Sequence, residues 1–247
     1  MYAFVTGPLA WLSFTVFFVG IIARIIWYFR GLNWQMDRVA YKEHMSYGIK
    51  GAIRSIVFWL IPFGTHSWRF YPFFTICFFT FHIGLLFTPL FIYGHNVLLQ
   101  ERFGWSLWAM PESMATFLTF AVIIAALFII LRRNALPEVR IITKPYDYLV
   151  LAIAVAPFVT GLLANFQIGN YNFWLIAHIL SGEIFLVAIP LTKLSHFIGF
   201  FLSRAQLGMD YGIKRGGMTV SYTHLRAHET SLPIAYAVFC WNRGGGG

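Results

Sequence analysis

Charged residues are scarce in this sequence of 247 residues. Asp, Glu, Lys and Arg make up 11% of the chain, whereas a soluble globular domain carries about 25%. Because so few charges cannot cover a water-exposed surface, the composition excludes soluble enzyme folds. Hydrophobic residues are abundant instead, at 59%, and Phe alone contributes 27 residues. The composition therefore predicts an integral membrane protein.

Other patterns are missing as well. The two cysteines, Cys77 and Cys240, lie too far apart for a metal-binding spacing, and no CxxCH motif is present. Covalent c-type haem attachment is therefore excluded. No basic stretch precedes the first apolar segment, so we do not expect a cleaved signal peptide. No repeat of about 20–50 residues is visible, which disfavours an inverted-repeat transporter.

Five apolar segments are long enough to cross a bilayer, which takes about 20 residues. They run over 3–29, 72–99, 113–131, 146–165 and 171–202. Residues 47–63 mix cations with aliphatic and aromatic residues, and this pattern predicts an amphipathic helix at the membrane surface. The predicted fold class is all-α integral membrane, a five-helix transmembrane bundle.

The net charge is +9, and the distribution of the cations among the connections gives the orientation of this bundle. In a soluble chain such an excess would suggest nucleic-acid binding, but in a membrane chain Lys and Arg accumulate in cytoplasmic connections, so no nucleic-acid partner is expected. Residues 24–69 hold seven Lys or Arg and residues 132–144 hold four, whereas 96–112 hold one and 165–172 none. The N-terminus is therefore predicted outside and the C-terminus in the cytoplasm.

The C-terminal end reads differently from the rest. Residues 220–230, VSYTHLRAHET, look like translated sequencing-adapter read-through. We therefore expect a five-span domain over 1–219 and a non-native or disordered tail over 220–247. If the tail is native, His224 and His228 have the i, i+4 spacing of metal ligands on one helix face.

Four histidines lie inside predicted spans: His82 and His95 in the second, His178 and His196 in the fifth. Ionisable residues within a membrane span are rare and usually functional. If the two spans are antiparallel, His95 comes near His178 on the outer side and His82 near His196 on the inner side. The remaining alternative is that each histidine only hydrogen-bonds a neighbouring helix.

Two imidazoles facing each other at two depths suit two non-covalent haems, which are b-type, and leave no open iron site for oxygen chemistry. The 18 residues between His178 and His196 make five helical turns, which predicts one shared face. On an ideal helix His82 and His95 lie about 140° apart. Pro89 stands between them and predicts a kink.

Two further ionisable residues lie in the fifth span. Lys193 precedes His196 by three residues, and it either pairs with a haem propionate or extends to the headgroups. Glu183 follows His178 by five residues, and three roles stay open for it: a protonated side chain, a hydrogen bond to a histidine, or part of a proton route.

These residues resemble a known family. FHIG at 81–84, GH at 94–95 and LIAHILSGEIFLVAIPLTKLSHFIGFFLSR at 175–204 resemble the gamma subunit of respiratory nitrate reductase, a five-span cytochrome b with two bis-histidine haems. The opening MYAFVTGPLAWLSF and the segments ILSGEI and LTKLSH are closest to the cytochrome b subunits of Tmc- and Dsr-type complexes of sulfate-reducing bacteria.

The resemblance implies a function. His82 and His196 would hold the inner haem, His95 and His178 the outer one. No lysine stands near Pro111–Met114, where the nitrate reductase subunit has its quinol-binding lysine; Gly94 matches the family and Arg102 is the candidate substitute.

The implied protein is an electron-transfer subunit of a respiratory oxidoreductase in the bacterial inner membrane, with no catalytic centre of its own. It would link menaquinone or a periplasmic multihaem cytochrome c to a cytoplasmic iron–sulfur subunit resembling heterodisulfide reductase. The alternative is a haem-free membrane anchor or a small proton-coupled transporter.

The orientation is directly testable. A topology reporter inserted within 101–108 is expected to report the outside, and one within 134–140 the cytoplasm, because the second connection carries the cations. The reverse pattern would exchange the depths of the two histidine pairs.

Overall fold

A computed structural model describes residues 2–32 and 45–214 of the chain. Within these ranges the regular structure is helical and contains no strand, so the predicted all-α class is confirmed for them. His44, the tail over 220–247 and its two histidines lie outside the described residues.

Five helices are long and apolar enough to cross a membrane, as predicted. Numbered in chain order among all the helices, these are α1 (Tyr2–Arg30), α4 (Pro72–Phe91), α6 (Glu112–Ala135), α8 (Pro145–Asn165) and α9 (Tyr171–Leu191). Shorter helices connect or follow them: α2 (Met45–Leu60), α3 (His66–Phe70), α5 (Tyr93–Phe103), α7 (Pro137–Ile142) and α10 (His196–Lys214). The membrane side of each connection stays a prediction.

The chain divides into two units. The second unit contains 33–57 and 202–247, and its described parts belong to α2 and α10. These helices cross closely, because a Cβ atom added to Gly208 would collide with the carbonyl of Gly51. The amphipathic helix predicted over 47–63 is α2, which ends earlier, at Leu60, shortly before Pro62.

The first unit contains 1–32 and 58–201 and includes all five long helices. Close backbone contacts join α4 to α6, α6 to α8, α8 to α9 and α9 to α1. Small residues make these contacts possible, as is usual between membrane helices: Ala125 and Ala126 of α6 are buried with Val122 against Phe81 and Phe158. In contrast, Phe117, Ile124 and Leu131 on the outer face of α6 are 64–70% exposed, as lipid-facing side chains are.

The second predicted span, 72–99, is not one helix. Helix α4 ends at Phe91, Ile92 is extended with ψ 138°, and α5 begins at Tyr93. Pro89 has no N–H group and crowds the preceding turn, which weakens the helix shortly before this point. The prediction that the chain bends near Pro89 is confirmed, but His82 and His95 lie on separate helices.

The fifth predicted span, 171–202, is also interrupted. Helix α9 ends at Leu191, Thr192 is extended (φ −118°, ψ −170°), and a 3₁₀ turn over Lys193–Ser195 leads into α10. The cause is again a proline, Pro190, in the last turn. The prediction that His178 and His196 share one helix face is therefore wrong.

The break after α4 leaves no carbonyl of its last turn unpaired. Thr88 accepts from the Ile92 amide and Phe91 from the Met110 amide, while side chains bind the other two carbonyls. Asn96, which is 3% exposed, donates to Leu90 and Ile92 (3.0 and 3.1 Å) and accepts from the Leu107 amide (2.8 Å). In a membrane such pairing is required, because no water reaches these groups.

Replacing Asn96 is expected to destabilise the protein. Asn96→Leu removes three hydrogen bonds and leaves buried backbone groups unpaired, at a cost of about 2 kcal/mol. Unfolding in mixed detergent micelles measures the change. Asn172→Leu, at the exposed start of α9, is the control and should unfold like the parent. Equal stability of the two variants would contradict the role of Asn96.

Candidate functional site

The four histidines of the spans form two facing pairs. The ring centroids of His95 and His178 lie 5.8 Å apart with nearly parallel planes, 23° from each other. Those of His82 and His196 lie 6.2 Å apart with nearly perpendicular planes, at 84°. The structure thus brings together the same partners that the sequence pairs.

Each of the four imidazoles binds a backbone carbonyl through Nδ1. The acceptors and distances are Phe78 for His82 (2.8 Å), Pro89 for His95 (2.7 Å), Pro157 for His178 (2.8 Å) and Lys193 for His196 (3.0 Å). A carbonyl oxygen only accepts, so Nδ1 carries the proton in each ring. In the neutral imidazole Nε2 is then the nitrogen with a free lone pair.

The helices that carry these pairs are not close neighbours. Among the described residues, α5, which carries His95, and α9, which carries His178, share at most isolated backbone contacts. The imidazoles of His95 and His178 therefore meet across a space that no backbone closes. This space is where a flat ligand between the two rings would lie.

His178 is seated against α8 by a glycine. A Cβ atom added to Gly161 would lie 2.9 Å from Cε1 and Nδ1 of His178, closer than side chains approach. The Pro157 carbonyl one turn earlier accepts the imidazole proton. Sequence reasoning missed Gly161, and its only signal is a glycine inside an apolar span four residues after a proline.

His82 has an aromatic environment. The ring centroids of Phe78 and His82 lie 4.1 Å apart. Trp68, which is 5% exposed, has its ring centroid 4.8 Å from that of Phe78. The fully buried Thr75 donates to the Trp68 carbonyl at 2.7 Å and so ties α3 to α4. These large side chains exclude water from one side of the pair.

Two glycines near the histidines differ in their surroundings. A Cβ atom on Gly84 would collide with Val122 of α6, so this glycine serves helix packing and does not leave room for a ligand. Gly94, one of the predicted quinone-site residues, has open space where a Cβ atom would be.

The tentative polar site residues have protein partners. Lys193 forms an ion pair with Asp147 at 2.7 Å, a partner that the sequence did not indicate because 46 residues separate the two. The side chain of Lys193 remains 59% exposed, so it is still accessible to an anionic group. Arg102 donates from Nη2 to the Thr6 carbonyl at 3.0 Å and thereby links α5 to the start of α1.

Glu183 is buried in α9, at 7% exposure, and neither of its carboxyl oxygens has a hydrogen-bond partner within the described ranges. Of the three roles left open by the sequence, a hydrogen bond to a histidine is therefore not formed here. His66 starts α3 and stacks on Phe70 at 6.3 Å.

One relative shares most of the chain. A protein of Nitratidesulfovibrio vulgaris (strain Hildenborough) is 59% identical over 219 residues, which are 89% of this chain and 97% of the relative. The chain belongs to the family of that protein. No family model matches the chain, and no solved structure matches it. The name of the relative states no activity, so the function has to be argued from the site.

The centroid distances of the two pairs agree with those of two imidazoles that bind one metal ion between them. With an imidazole–metal bond of about 2 Å on each side, two axial rings have centroids about 6 Å apart, near the observed 5.8 and 6.2 Å. The protonated Nδ1 bound to a carbonyl is the usual support of a metal-ligating histidine. No three His, Cys, Asp or Glu side chains gather within 2–32 and 45–214.

The seat of His178 can be tested without any ligand. Gly161→Ala is expected to push the imidazole away from the Pro157 carbonyl, because overpacking by one methyl group costs about 1–3 kcal/mol. Thermal unfolding in detergent and the ¹⁵N NMR signal of the His178 Nδ1–H group measure the effect. The control is Gly199→Ala, since a Cβ atom there meets nothing within 4 Å. An unchanged His178 signal in Gly161→Ala would contradict this packing.

Proposed function

We propose that the chain is a di-haem cytochrome b subunit that carries electrons across the bacterial inner membrane. It links menaquinone or a periplasmic multihaem cytochrome c to a cytoplasmic iron–sulfur subunit of the heterodisulfide-reductase type. The chain is a component of an oxidoreductase complex, and its own residues bind and position the haems without a separate catalytic centre.

One observation carries this proposal: four imidazoles, two in spanning helices and two just beyond the ends of those helices, form two facing pairs, and each directs its proton to a carbonyl. A histidine that served only to join helices would have no reason to repeat this arrangement four times. The separation of the α5 and α9 backbones supports the same conclusion, since a ligand between His95 and His178 would join two helices whose backbones make at most isolated contacts.

The haem supplies one-electron chemistry when bound, and ligation by two imidazoles keeps the iron closed to oxygen. The residues of the chain do the rest. Carbonyl groups orient the rings and set their tautomer, and Gly161 brings α8 against His178. Phe78 and Trp68 keep water away from His82. The prolines that end α4 and α9 aim His95 and His196 into their pairs.

The partner-binding regions follow from the predicted orientation. The connection over 132–144 contains α7, in which Ile141 is 84% exposed. This connection, which also carries four cations, offers the cytoplasmic subunit an apolar contact at Ile141. The surface helix α2 is a second contact region. On the outer side, the open position at Gly94 beside His95 is the entry point for menaquinone, with Arg102 at the end of α5.

The finer assignment, to the Tmc- and Dsr-type branch, rests on the sequence resemblance. The rival function, a haem-free anchor or proton-coupled transporter, draws on one observation, the unpartnered carboxyl of Glu183. Haem content separates the two. A reduced-minus-oxidised spectrum and pyridine haemochrome quantitation of the purified chain are expected to give two haem b per chain. A purified chain without haem would contradict the cytochrome proposal.

The ligand pairing is tested by four single substitutions. His95→Ala and His178→Ala are expected to remove the same component of a redox titration, and His82→Ala and His196→Ala the other, because loss of one axial ligand damages one bis-histidine site. Each variant should keep about one haem. His66→Ala is the control and should keep both. Loss of one component by both His82→Ala and His178→Ala would overturn the pairing.

A further inference from the structure

Glu183 is the buried ionisable group that the proposed electron path does not use. Only 7% of this residue is exposed, and neither carboxyl oxygen has a hydrogen-bond partner in the described ranges. A charged carboxylate in such a place is costly unless it is paired. Glu183 nevertheless lies in α9, the helix that also carries His178.

Helical register turns Glu183 toward α1 and away from the imidazole of His178. Pro190 of α9 meets α1 at Gly20, where a Cβ atom would lie 2.5 Å from the proline ring. Glu183 precedes Pro190 by seven residues, which is two helical turns, so the two residues lie on nearly the same face of α9. Five residues separate Glu183 from His178, which turns it about 140° away from that imidazole.

The neighbour on α1 is identified by the same register. Helix α9 contacts α1 at two places, the early segment Val5–Leu9 and the later residue Gly20. Because Gly20 meets Pro190 at the end of α9, the earlier segment lies beside an earlier part of α9, and the two helices run in the same direction. Seven residues before Gly20 stands Ser13, which is 3% exposed. Its hydroxyl donates to the Leu9 carbonyl at 3.0 Å and keeps its lone pairs as acceptors. Ser13 and Glu183 are thus two buried polar side chains at a similar depth in an otherwise apolar interface.

The other charges near α9 lie at its ends. Arg24 of α1 donates to the Pro190 carbonyl at 2.8 Å, and Asp147 of α8 pairs with Lys193 after the last turn. On α9 and on the helical segments that pack most closely against it, the charged or titratable side chains are Tyr2, Arg24, Tyr28, Arg30, Tyr146, Asp147, Tyr148, Tyr171, His178, Glu183 and Lys193, and His95 of α5 faces His178.

From this placement we propose that Glu183 is a redox-linked proton site. Its carboxyl group binds a proton more tightly when the site between His95 and His178 holds an electron from a donor, so reduction is accompanied by proton uptake from water and oxidation by proton release. This inference rests on the proposed function. The physical reason is charge balance: an added electron and a carboxylate repel each other in a medium of low dielectric constant, and protonation removes this repulsion.

Depth supports the assignment to the pair His95–His178. Five residues correspond to about 7.5 Å along the axis of α9, so Glu183 is much nearer to His178 than to His196, from which 13 residues and the break at Thr192 separate it. Charges at such a separation inside the bilayer are poorly screened by salt.

The experiment measures the reduction potential of both haems against pH in the full-length protein. For the haem of His95 and His178, the reduction equilibrium constant is expected to change by up to tenfold per pH unit, which is 59 mV for one electron. In Glu183→Gln this dependence should fall below twofold per pH unit, because the amide cannot bind the proton. Glu112→Gln, at the exposed start of α6, should keep the dependence of the parent.

Infrared redox-difference spectra supply a second readout. The unmodified protein should gain the C=O band of a protonated carboxylic acid on reduction, and Glu183→Gln should lack it. If Glu183→Gln fails to fold, Glu183→Asp keeps the acid and should shift this band. Haem-containing protein with potentials independent of pH, or with a dependence that Glu183→Gln leaves intact, overturns the inference. A chain without haem overturns the proposed function instead, and its spectrum shows this before any titration.

Discussion

The hydrogen bond from each imidazole Nδ1 to a backbone carbonyl is the interaction on which the proposed site depends. It decides which nitrogen keeps its lone pair, and it sets the direction of each ring. In the bilayer interior an unpaired carbonyl or N–H group is expensive, so the bond is favourable for the ring and for the backbone at the same time. Three of the four acceptors, at Pro89, Pro157 and Lys193, lie at a proline or just after a proline-weakened helix end.

Prolines and glycines set the path of the backbone around the histidines. Pro89 and Pro190 lie in the last turns of α4 and α9. Helix α4 ends before His95, and α9 ends before His196. The freed groups find defined partners: Asn96 closes the first break, and Arg24 binds the Pro190 carbonyl at the second. The interruptions are therefore part of the site, since continuous helices would place His82 and His95 on different faces.

The interface of α1 and α9 has a different character. It combines a close glycine contact at Gly20 with two buried polar residues, Ser13 and Glu183, and one cation near its end. By helical register, Glu183 lies on the face of α9 that meets α1 at Gly20, turned away from His178. An electron path through the histidines and a carboxyl group behind α9 would thus share one helix, which is the simplest way for charge on one to influence the other.

Composition and span lengths alone determined the class of the protein, because the free energy of membrane insertion depends on the hydrophobicity of about 20 consecutive residues. The four histidines and their pairing also followed from the sequence, since antiparallel spans order residues by depth whatever the details of the helices. The bends were only partly predictable: Pro89 indicated one, but the end of α9 at Leu191 and the exact partner of each freed carbonyl did not follow from local residues.

The tertiary structure decided everything that depends on residues distant in the chain. The imidazole of His178 meets Pro157 and Gly161 of the preceding helix, Lys193 meets Asp147, and Asn96 meets Leu107 across the loop. None of these contacts has a periodic or compositional signature. They arise because helix packing brings particular side chains within about 3 Å of a donor or acceptor, and a sequence read one span at a time contains no information about that packing.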